Sequence, residues 1–172
     1  PEHAETAYRL GRCEERLGHA FKDRDLLAAA LTHASSKVTS GRSNERLEFL
    51  GDAVLQTAIS ALLYERFAGS DEGDLTRVRA HLVREDSLHR VALTLGLPEV
   101  LRLSDGEARG GGAQRPSILA DALEALIGAA FLDGGFVPAQ AVVLQLFGQT
   151  IATTDVDNWR KDPKTELQEW LQ

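Results

Sequence analysis

Hydrophobic residues recur every three to four positions between turn signals along most of the chain, which is the period of amphipathic helices. This pattern predicts an all-α, multi-helix fold. The helices are expected at residues 1–18, 23–33, 44–67, 72–83, 86–96, 116–134 and 138–151.

Polar residues and glycines mark the expected helix ends. Asp25 is a candidate N-cap of the second helix, Ser43 or Asn44 of the long third helix, and Asp86 or Ser87 of the short fifth helix. His33 ends the second helix, and we interpret it as structural because no second histidine lies at metal-ligand spacing. Residues 104–116, SDGEARGGGAQRP, carry four glycines and are expected to form a flexible surface loop.

Residues 44–55, NERLEFLGDAVL, place three carboxylates in a segment that is otherwise strongly apolar. On a helix, Glu45, Glu48 and Asp52 fall within roughly 60° of one another, so they share one face. A solvated acidic face with i, i+4 ion pairs is the ordinary interpretation of such spacing. A buried acid cluster that holds metal fits better here, because large apolar residues flank the acids (Phe49, Leu55, Ile59) and line the opposite side (Leu47, Leu50, Val54, Ala58, Leu62).

A later predicted helix, with the run SILADALEALIGAAFLDGG at residues 117–135, carries two acids one turn apart, Asp121 and Glu124. They share a face with Ser117 and Gly128. Small residues around the acids would let another helix approach closely, as a metal site shared between two helices requires. The helix that carries Asp121 and Glu124 is therefore expected to complete the site to which Glu48 and Asp52 belong.

Four or five carboxylates held together need cations to neutralise them. Oxygen-only ligands favour hard ions, so Mg²⁺ is expected, with Mn²⁺ as a substitute, rather than zinc. The Glu-x-x-His pairs of di-iron helical bundles have no counterpart here, which disfavours redox chemistry. The chemistry that remains is metal-assisted phosphoryl transfer.

Composition bounds the class of protein. A chain of 172 residues that is 43% hydrophobic suits one compact domain, and a single cysteine, Cys13, suits a reducing compartment. No membrane-length apolar run or leader is evident, so a cytoplasmic location without membrane contact is expected. The net charge of −7 argues against a nucleic-acid partner, but residues 75–116 hold seven arginines against five acids. A local basic surface there would make Arg109 and Arg115 candidate RNA-backbone contacts.

Four separated segments resemble the ribonuclease III family. They are the run NERLEFLGDAVL, which is close to the signature motif of the family, the second acidic helix, ALTHAS at residues 30–35, and DEGDLTRVRAHLV. The resemblance implies an all-helical, homodimeric endonuclease domain that cleaves double-stranded RNA with Mg²⁺, leaving 5′-phosphate and 3′-hydroxyl ends with short 3′ overhangs. It also implies a role in RNA processing such as maturation of rRNA precursors. The alternative is a protein on the same fold that binds structured RNA without cutting it.

The resemblance also implies roles for single residues. Glu48, Asp121 and Glu124 match metal ligands, and Asp52 and Glu124 match the residues most closely tied to catalysis. Phe49 would pack across the dimer interface. Two further acids match accessory positions, Glu45 and Glu72. Ala34 departs from the family pattern, in which a basic residue is frequent, and this puts an RNA contact there in doubt.

The last part of the chain suggests a domain boundary. KDPKTELQEWLQ resembles the linker and first helix of the double-stranded RNA-binding domain that follows the nuclease in bacterial members of the family. We therefore expect a catalytic domain at residues 1–155, and at residues 156–172 a linker with the first residues of a truncated RNA-binding domain.

Overall fold

The computed structural model describes residues 2–36 and 42–156, and within these ranges the chain forms eight α-helices and two short 3₁₀ turns. The only β-pairing in the described part is an isolated bridge between Thr32 and Arg102. The all-α prediction is confirmed. The helices are α1 (Glu2–Leu17), α2 (Arg24–Ala30), α3 (Glu45–Arg66), α4 (Glu72–Leu82), α5 (Glu85–Thr94), α6 (Asp105–Arg109), α7 (Pro116–Gly134) and α8 (Phe136–Thr153).

Helix α7 is the centre of the fold. It packs against α2, α3, α5 and α8, and its residues from Ile118 to Ala130 are buried apart from Asp121 and Glu124. The run LADALEALIGAA explains this position, because its alanines and leucines suit close contact on every side. Helix α7 begins at Pro116 and ends at the turn formed by Gly134 and Gly135. Both ends lie where the sequence predicted them.

Two glycines let α3 and α7 cross with their backbones in contact. A Cβ atom on Gly51 would overlap the carbonyl oxygen of Glu124, and one on Gly128 would overlap the carbonyl oxygen of Leu47. The expected close approach at Gly128 is therefore present, and Gly51 is its counterpart on α3. Glycine in a helix interior lowers helix propensity, so its presence in α3 has a packing reason.

Helix α3 has a wider buried face than the sequence suggested. Leu55 and Ile59 are fully buried in the core, although we expected them at the edge of the acidic face. The reason is that α7 and α8 cover two adjacent sides of α3, which a helical wheel cannot show. Phe49, in contrast, is 82% exposed.

Several predicted helix ends need correction. The N-cap of α2 is Asp23, whose side chain accepts the backbone N–H of Asp25, and the helix stops at Ala30 before His33. Helix α5 starts at Glu85, ahead of the expected caps Asp86 and Ser87. Asp23 precedes the helical turn and can reach a free N–H, whereas Asp25 already lies inside that turn.

Asn44 lies at the start of α3 but does not cap it in the predicted way. Its side chain makes no capping hydrogen bond to α3, and its Nδ2 instead donates to the carbonyl oxygen of Ala30. Asn44 is 3% exposed, so this bond satisfies a buried amide and fastens the end of α2 to the start of α3.

Residues 104–116 are more ordered than the glycine content suggested. They contain the short helix α6 and a 3₁₀ turn at Gly112–Gln114. Ser104 caps α6 by accepting the N–H of Glu107, and its own N–H donates to Ser35 Oγ. The segment lies at the surface as expected, but it is not wholly irregular, because hydrogen bonds of the Ser104 and Ser35 side chains support local turns.

Two helices reach membrane-spanning length and composition, α3 and α8, contrary to the expectation from the sequence. In α3 the apolar residues serve the core instead, since Leu55, Ile59 and Leu63 are buried within the helical bundle. A buried core helix meets the same length and composition test as a membrane span. Residues 37–41 lie outside the described residues, and so do residues 157–172 of the predicted linker and RNA-binding segment.

The glycine crossing predicts a large difference between two mid-helix substitutions. Gly51→Ala should lower the free energy of unfolding by about 2–4 kcal/mol, because the new methyl group meets backbone that cannot move aside. Gly11→Ala is the control: Gly11 lies inside α1 with open space around its Cβ position, so alanine there should be neutral or stabilising. Denaturant unfolding measures both, and equal stability of the two variants would contradict the close crossing.

Candidate metal centre

Four carboxyl side chains meet where α3 crosses α7. Glu48 and Asp52 stand one turn apart on α3, and Asp121 and Glu124 stand one turn apart on α7. Gly51 touches the backbone of Glu124, so the crossing itself sets the separation of the two acid pairs. Asp52 is exposed and the other three are partly buried, which leaves the site open to solvent on one side.

The carboxyls are paired across the two helices. Glu48 shares a side-chain hydrogen bond with Asp121, and Glu124 shares one with Asp52. The raised pKa of Glu124 favours its protonated form near neutral pH, and in that form it can donate to Asp52. The two pairs also repel each other, since Glu48 and Asp121 both act on Glu124.

Burial and mutual repulsion raise the pKa values of three of these groups. Burial, followed by Asp52, raises the pKa of Glu124 to about 8. Burial, followed by Asp121 and Glu45, raises the pKa of Glu48. Burial, followed by Glu85, raises the pKa of Asp121. Such clusters of raised pKa values mark functional sites, because folding alone does not favour bringing acids together.

The donor set fits a hard divalent cation. All four groups are carboxyls, and positive charge from a metal would offset the repulsion that helps to raise the pKa values of Glu48 and Glu124. As the side chains stand, the described residues contain no group of three or more His, Cys, Asp or Glu arranged to hold a metal ion. Metal binding would therefore displace protons and turn the paired carboxyls toward a common centre.

The two accessory candidates lie in different places. Glu45 is the first residue of α3, accepts a hydrogen bond from Ser43 Oγ at 2.9 Å, and is near enough to raise the pKa of Glu48. Glu72 begins α4 and accepts a hydrogen bond from Thr76 Oγ1 at 2.7 Å. Glu45 thus borders the four carboxyls, and no contact of Glu72 with them is seen in the described residues.

Two neighbours of Asp121 escaped the sequence analysis. Glu85, at the start of α5, raises the pKa of Asp121, and His33 lowers it. Ser35 donates its N–H to His33 Nδ1 at 3.1 Å and places its hydroxyl 2.8 Å from the same nitrogen. His33 is therefore hydrogen-bonded within its own segment, and it also acts electrostatically on Asp121. Only the packing of α2 and α5 on α7 shows this, since neither residue shares a sequence motif with Asp121.

The expected basic surface at residues 75–116 is reduced by ion pairs. Arg77 pairs with Asp74, Arg84 and Arg90 share Asp86, and Arg115 pairs with Glu107. Arg79 hydrogen-bonds to Ser60. Arg102 and Arg109 take part in none of the ion pairs found in the described residues.

Comparisons with known proteins agree on one family. Residues 23–150 match the family model described as Ribonuclease-III-like. The chain is 59% identical over 163 residues to Ribonuclease 3 of Variovorax paradoxus, covering 95% of this chain and 70% of that protein. It is 58% identical over 159 residues to Ribonuclease 3 of Albidiferax ferrireducens, covering 92% of this chain and 68% of that protein.

Solved structures show the same relationship. The nuclease domain of ribonuclease III from Campylobacter jejuni superposes with a TM-score of 0.78 at 44% identity, covering 84% of this chain and 97% of that one. A second structure of that domain shows structural flexibility in a region involved in dimer formation. It superposes with a TM-score of 0.76 at 46% identity, covering 80% of this chain and 95% of that one. Dicer from Pichia stipitis gives 0.59 at 25% identity, covering 77% and 57%.

An all-helical domain whose four carboxyls meet at a helix crossing, with solved nuclease domains as its structural relatives, defines a hydrolytic nuclease. The chain belongs to the ribonuclease III family, whose members are metal-dependent endoribonucleases involved in RNA processing.

The raised pKa values predict that the metal-free protein loses stability as pH rises. A carboxyl with a higher pKa in the folded state than in the unfolded state holds more protons when folded. Its contribution to the free energy of unfolding is therefore full below the unfolded-state pKa and is lost as the pH rises through the folded-state pKa. For Glu124 this window runs from the ordinary glutamate pKa of 4.5 to a pKa of about 8.

The melting temperature in a chelating buffer should therefore fall between pH 5 and pH 8, and Glu124→Gln should flatten that fall. Glu65→Gln, on the exposed end of α3, is the control and should leave the wild-type slope unchanged. A melting temperature that stays constant or rises over this range in the wild-type protein would contradict the raised pKa of Glu124.

Proposed function

We propose that this chain is an endoribonuclease that hydrolyses phosphodiester bonds of double-stranded RNA with Mg²⁺. The observation that carries the proposal is the pairing of Glu48 with Asp121 and of Asp52 with Glu124 across the α3–α7 crossing. Cleavage would leave 5′-phosphate and 3′-hydroxyl ends with short 3′ overhangs. The cellular role would be RNA processing in the cytoplasm, such as maturation of rRNA precursors.

Glu48, Asp121 and Glu124 would hold the metal, with Mn²⁺ able to replace Mg²⁺. Bound divalent metal supplies charge that stabilises the phosphate in the transition state and makes water a stronger nucleophile. Carboxylate oxygens suit both ions, and metal charge relieves the repulsion that raises the pKa of Glu124.

Asp52 and Glu124 are the proposed catalytic residues. The pKa of Glu124, raised to about 8, lies close to neutral pH, where a group can both accept and release a proton. Asp52 is the more exposed of the two and so is the one that an incoming RNA strand can reach. Glu45, beside Glu48, would act as an accessory acid, and Glu72 would act nearer the RNA.

An acidic chain needs a local way to approach RNA. Arg109 lies at the exposed end of α6 and has no ion pair in the described residues, so its charge is available to a phosphate. We propose it as an RNA contact, together with the segment at residues 156–172 that resembles the start of a double-stranded RNA-binding domain. Arg115 was the second candidate, and its pairing with Glu107 sets it apart from Arg109.

We also propose that the chain forms a homodimer through Phe49. Phe49 directly follows Glu48 and is 82% exposed. Burying a solvent-facing aromatic side chain of this size against a partner is energetically favourable. The related Campylobacter jejuni nuclease domain has a region involved in dimer formation. Because Phe49 adjoins the acid cluster, the dimer would set the two sites in a fixed relation.

Cleavage of a duplex RNA tests the proposed activity. Wild-type protein with Mg²⁺ should cut the duplex and leave single-stranded RNA largely intact, and Glu124→Gln and Asp52→Asn should each reduce the rate by at least roughly 100-fold. Glu65→Gln should cut at the wild-type rate, since it changes the same type of side chain on the same helix outside the site. Duplex binding without cleavage by the wild-type protein would favour a binding protein on this fold instead.

Sedimentation tests the role of Phe49. Phe49→Ala should weaken dimerisation by at least about 10-fold, because an aromatic anchor at the centre of an interface carries much of its binding energy. Tyr8→Ala is the control, since Tyr8 is also an exposed aromatic at 66% but lies on α1. Dimerisation unchanged by Phe49→Ala, or equally weakened by Tyr8→Ala, would argue against an interface centred on Phe49.

A further inference from the structure

Residues 104–116 connect two parts of the protein that the proposed function uses. Their first residue, Ser104, donates its N–H to Ser35 Oγ at 3.1 Å, and Ser35 Oγ lies 2.8 Å from Nδ1 of His33, which acts electrostatically on Asp121. Their last residues, Arg115 and Pro116, enter α7 directly, five residues before Asp121. The conformation of this segment is thus tied to both sides of the acid site.

Glu107 lies folded inside this segment. Its backbone N–H donates to Ser104 Oγ, and its side chain packs over Gly112, where an added Cβ would lie 2.6 Å from the Glu107 Cγ. The side chain is 22% exposed and its Oε1 is buried. Gly112 therefore provides the space that Glu107 needs, and the carboxylate points into the segment rather than into solvent.

Arg115 neutralises this carboxylate. Its Nη1 lies directly beside Glu107 Oε1, although no donor with regular hydrogen-bond geometry reaches that oxygen in the described residues. A buried carboxylate oxygen needs a nearby cation, so withdrawing Arg115 to reach a phosphate would leave Glu107 uncompensated. Arg109 lies six residues earlier on the same segment and forms no ion pair with the described residues.

We propose that Glu107 is a positioning residue that holds Arg115 as an internal clamp of residues 104–116, so that Arg109, and not Arg115, supplies the phosphate contact of this segment. The clamp itself stands on the contacts among Ser104, Glu107, Gly112 and Arg115. Its effect on RNA binding rests on the proposed function.

The proposal opposes what net charge alone would suggest. Glu107 is an acid on a segment that would face RNA, so simple repulsion predicts that Glu107→Gln strengthens RNA binding. The clamp predicts the opposite, because loss of the ion pair loosens the segment that presents Arg109. It also predicts that Glu107→Gln and Arg115→Gln act through one shared interaction.

A double-mutant cycle without RNA tests the clamp. Glu107→Gln and Arg115→Gln should each lower the melting temperature and speed hydrogen exchange of backbone amides 108–114, and the double variant should be no worse than the more affected single one. Arg109→Gln should change neither readout. Additive effects of the pair, or single variants that match wild type in exchange, would overturn the clamp.

The salt dependence of binding tests which arginine contacts RNA. Binding of a duplex RNA would be measured in a Glu124→Gln background, which prevents cleavage, over a series of KCl concentrations. Arg109→Gln should weaken binding and reduce the slope of log affinity against log salt by about 1, the value for one lost phosphate contact. Arg115→Gln and Glu107→Gln should weaken binding with an unchanged slope.

A reduced slope for Arg115→Gln, or tighter binding by Glu107→Gln, would overturn the proposal. If the Glu124→Gln protein does not bind duplex RNA, the proposed function fails and with it the assignment of Arg109 as the contact. The cycle without RNA still judges the clamp, so the two failures are distinguishable.

Discussion

The close crossing of α3 and α7 is the constraint on which the rest of the structure depends. Gly51 and Gly128 remove the side chains that would keep the two backbones apart, and each faces a carbonyl oxygen of the other helix. At that separation the acids one residue or one turn away, Glu48, Asp52 and Glu124, must face one another. The acid cluster is thus a consequence of backbone contact, and side chains of ordinary size at the crossing would have separated its two halves.

The carboxyl cluster lowers the free energy of unfolding at neutral pH. Burial and repulsion raise the pKa values of Glu48, Asp121 and Glu124, and with its pKa near 8 folded Glu124 holds a proton that the unfolded chain would release at neutral pH. The buried leucines and alanines of α7, packed on four other helices, offset that cost. The most apolar helix of the fold therefore carries two of its four central acids, as a site with strained electrostatics requires.

Charge in this protein is informative only after pairing is known. Residues 75–116 have more arginines than acids, yet Arg77, Arg84, Arg90 and Arg115 each lie beside a carboxylate. The exposed pairs of Arg84 and Arg90 with Asp86 add little stability, but all four pairings reduce the positive charge that RNA would meet. The excess in the sequence is thus reduced in the described structure to a few arginines, of which Arg109 is placed on an exposed helix end.

The sequence by itself determined which segments are helical and which acids share a helix face, because both follow from the helical period. It therefore predicted α3, α7 and the four central carboxyls correctly as residues of two helices. It did not determine which sides of a helix are covered, so Leu55 and Ile59 were expected at an edge and lie in the core. Tertiary structure alone decided the contact of Gly51 with Glu124, the electrostatic effect of Glu85 and His33 on Asp121, and the local structure in residues 104–116. These features depend on contacts between residues far apart in the chain, and local periodicity carries no information about such contacts.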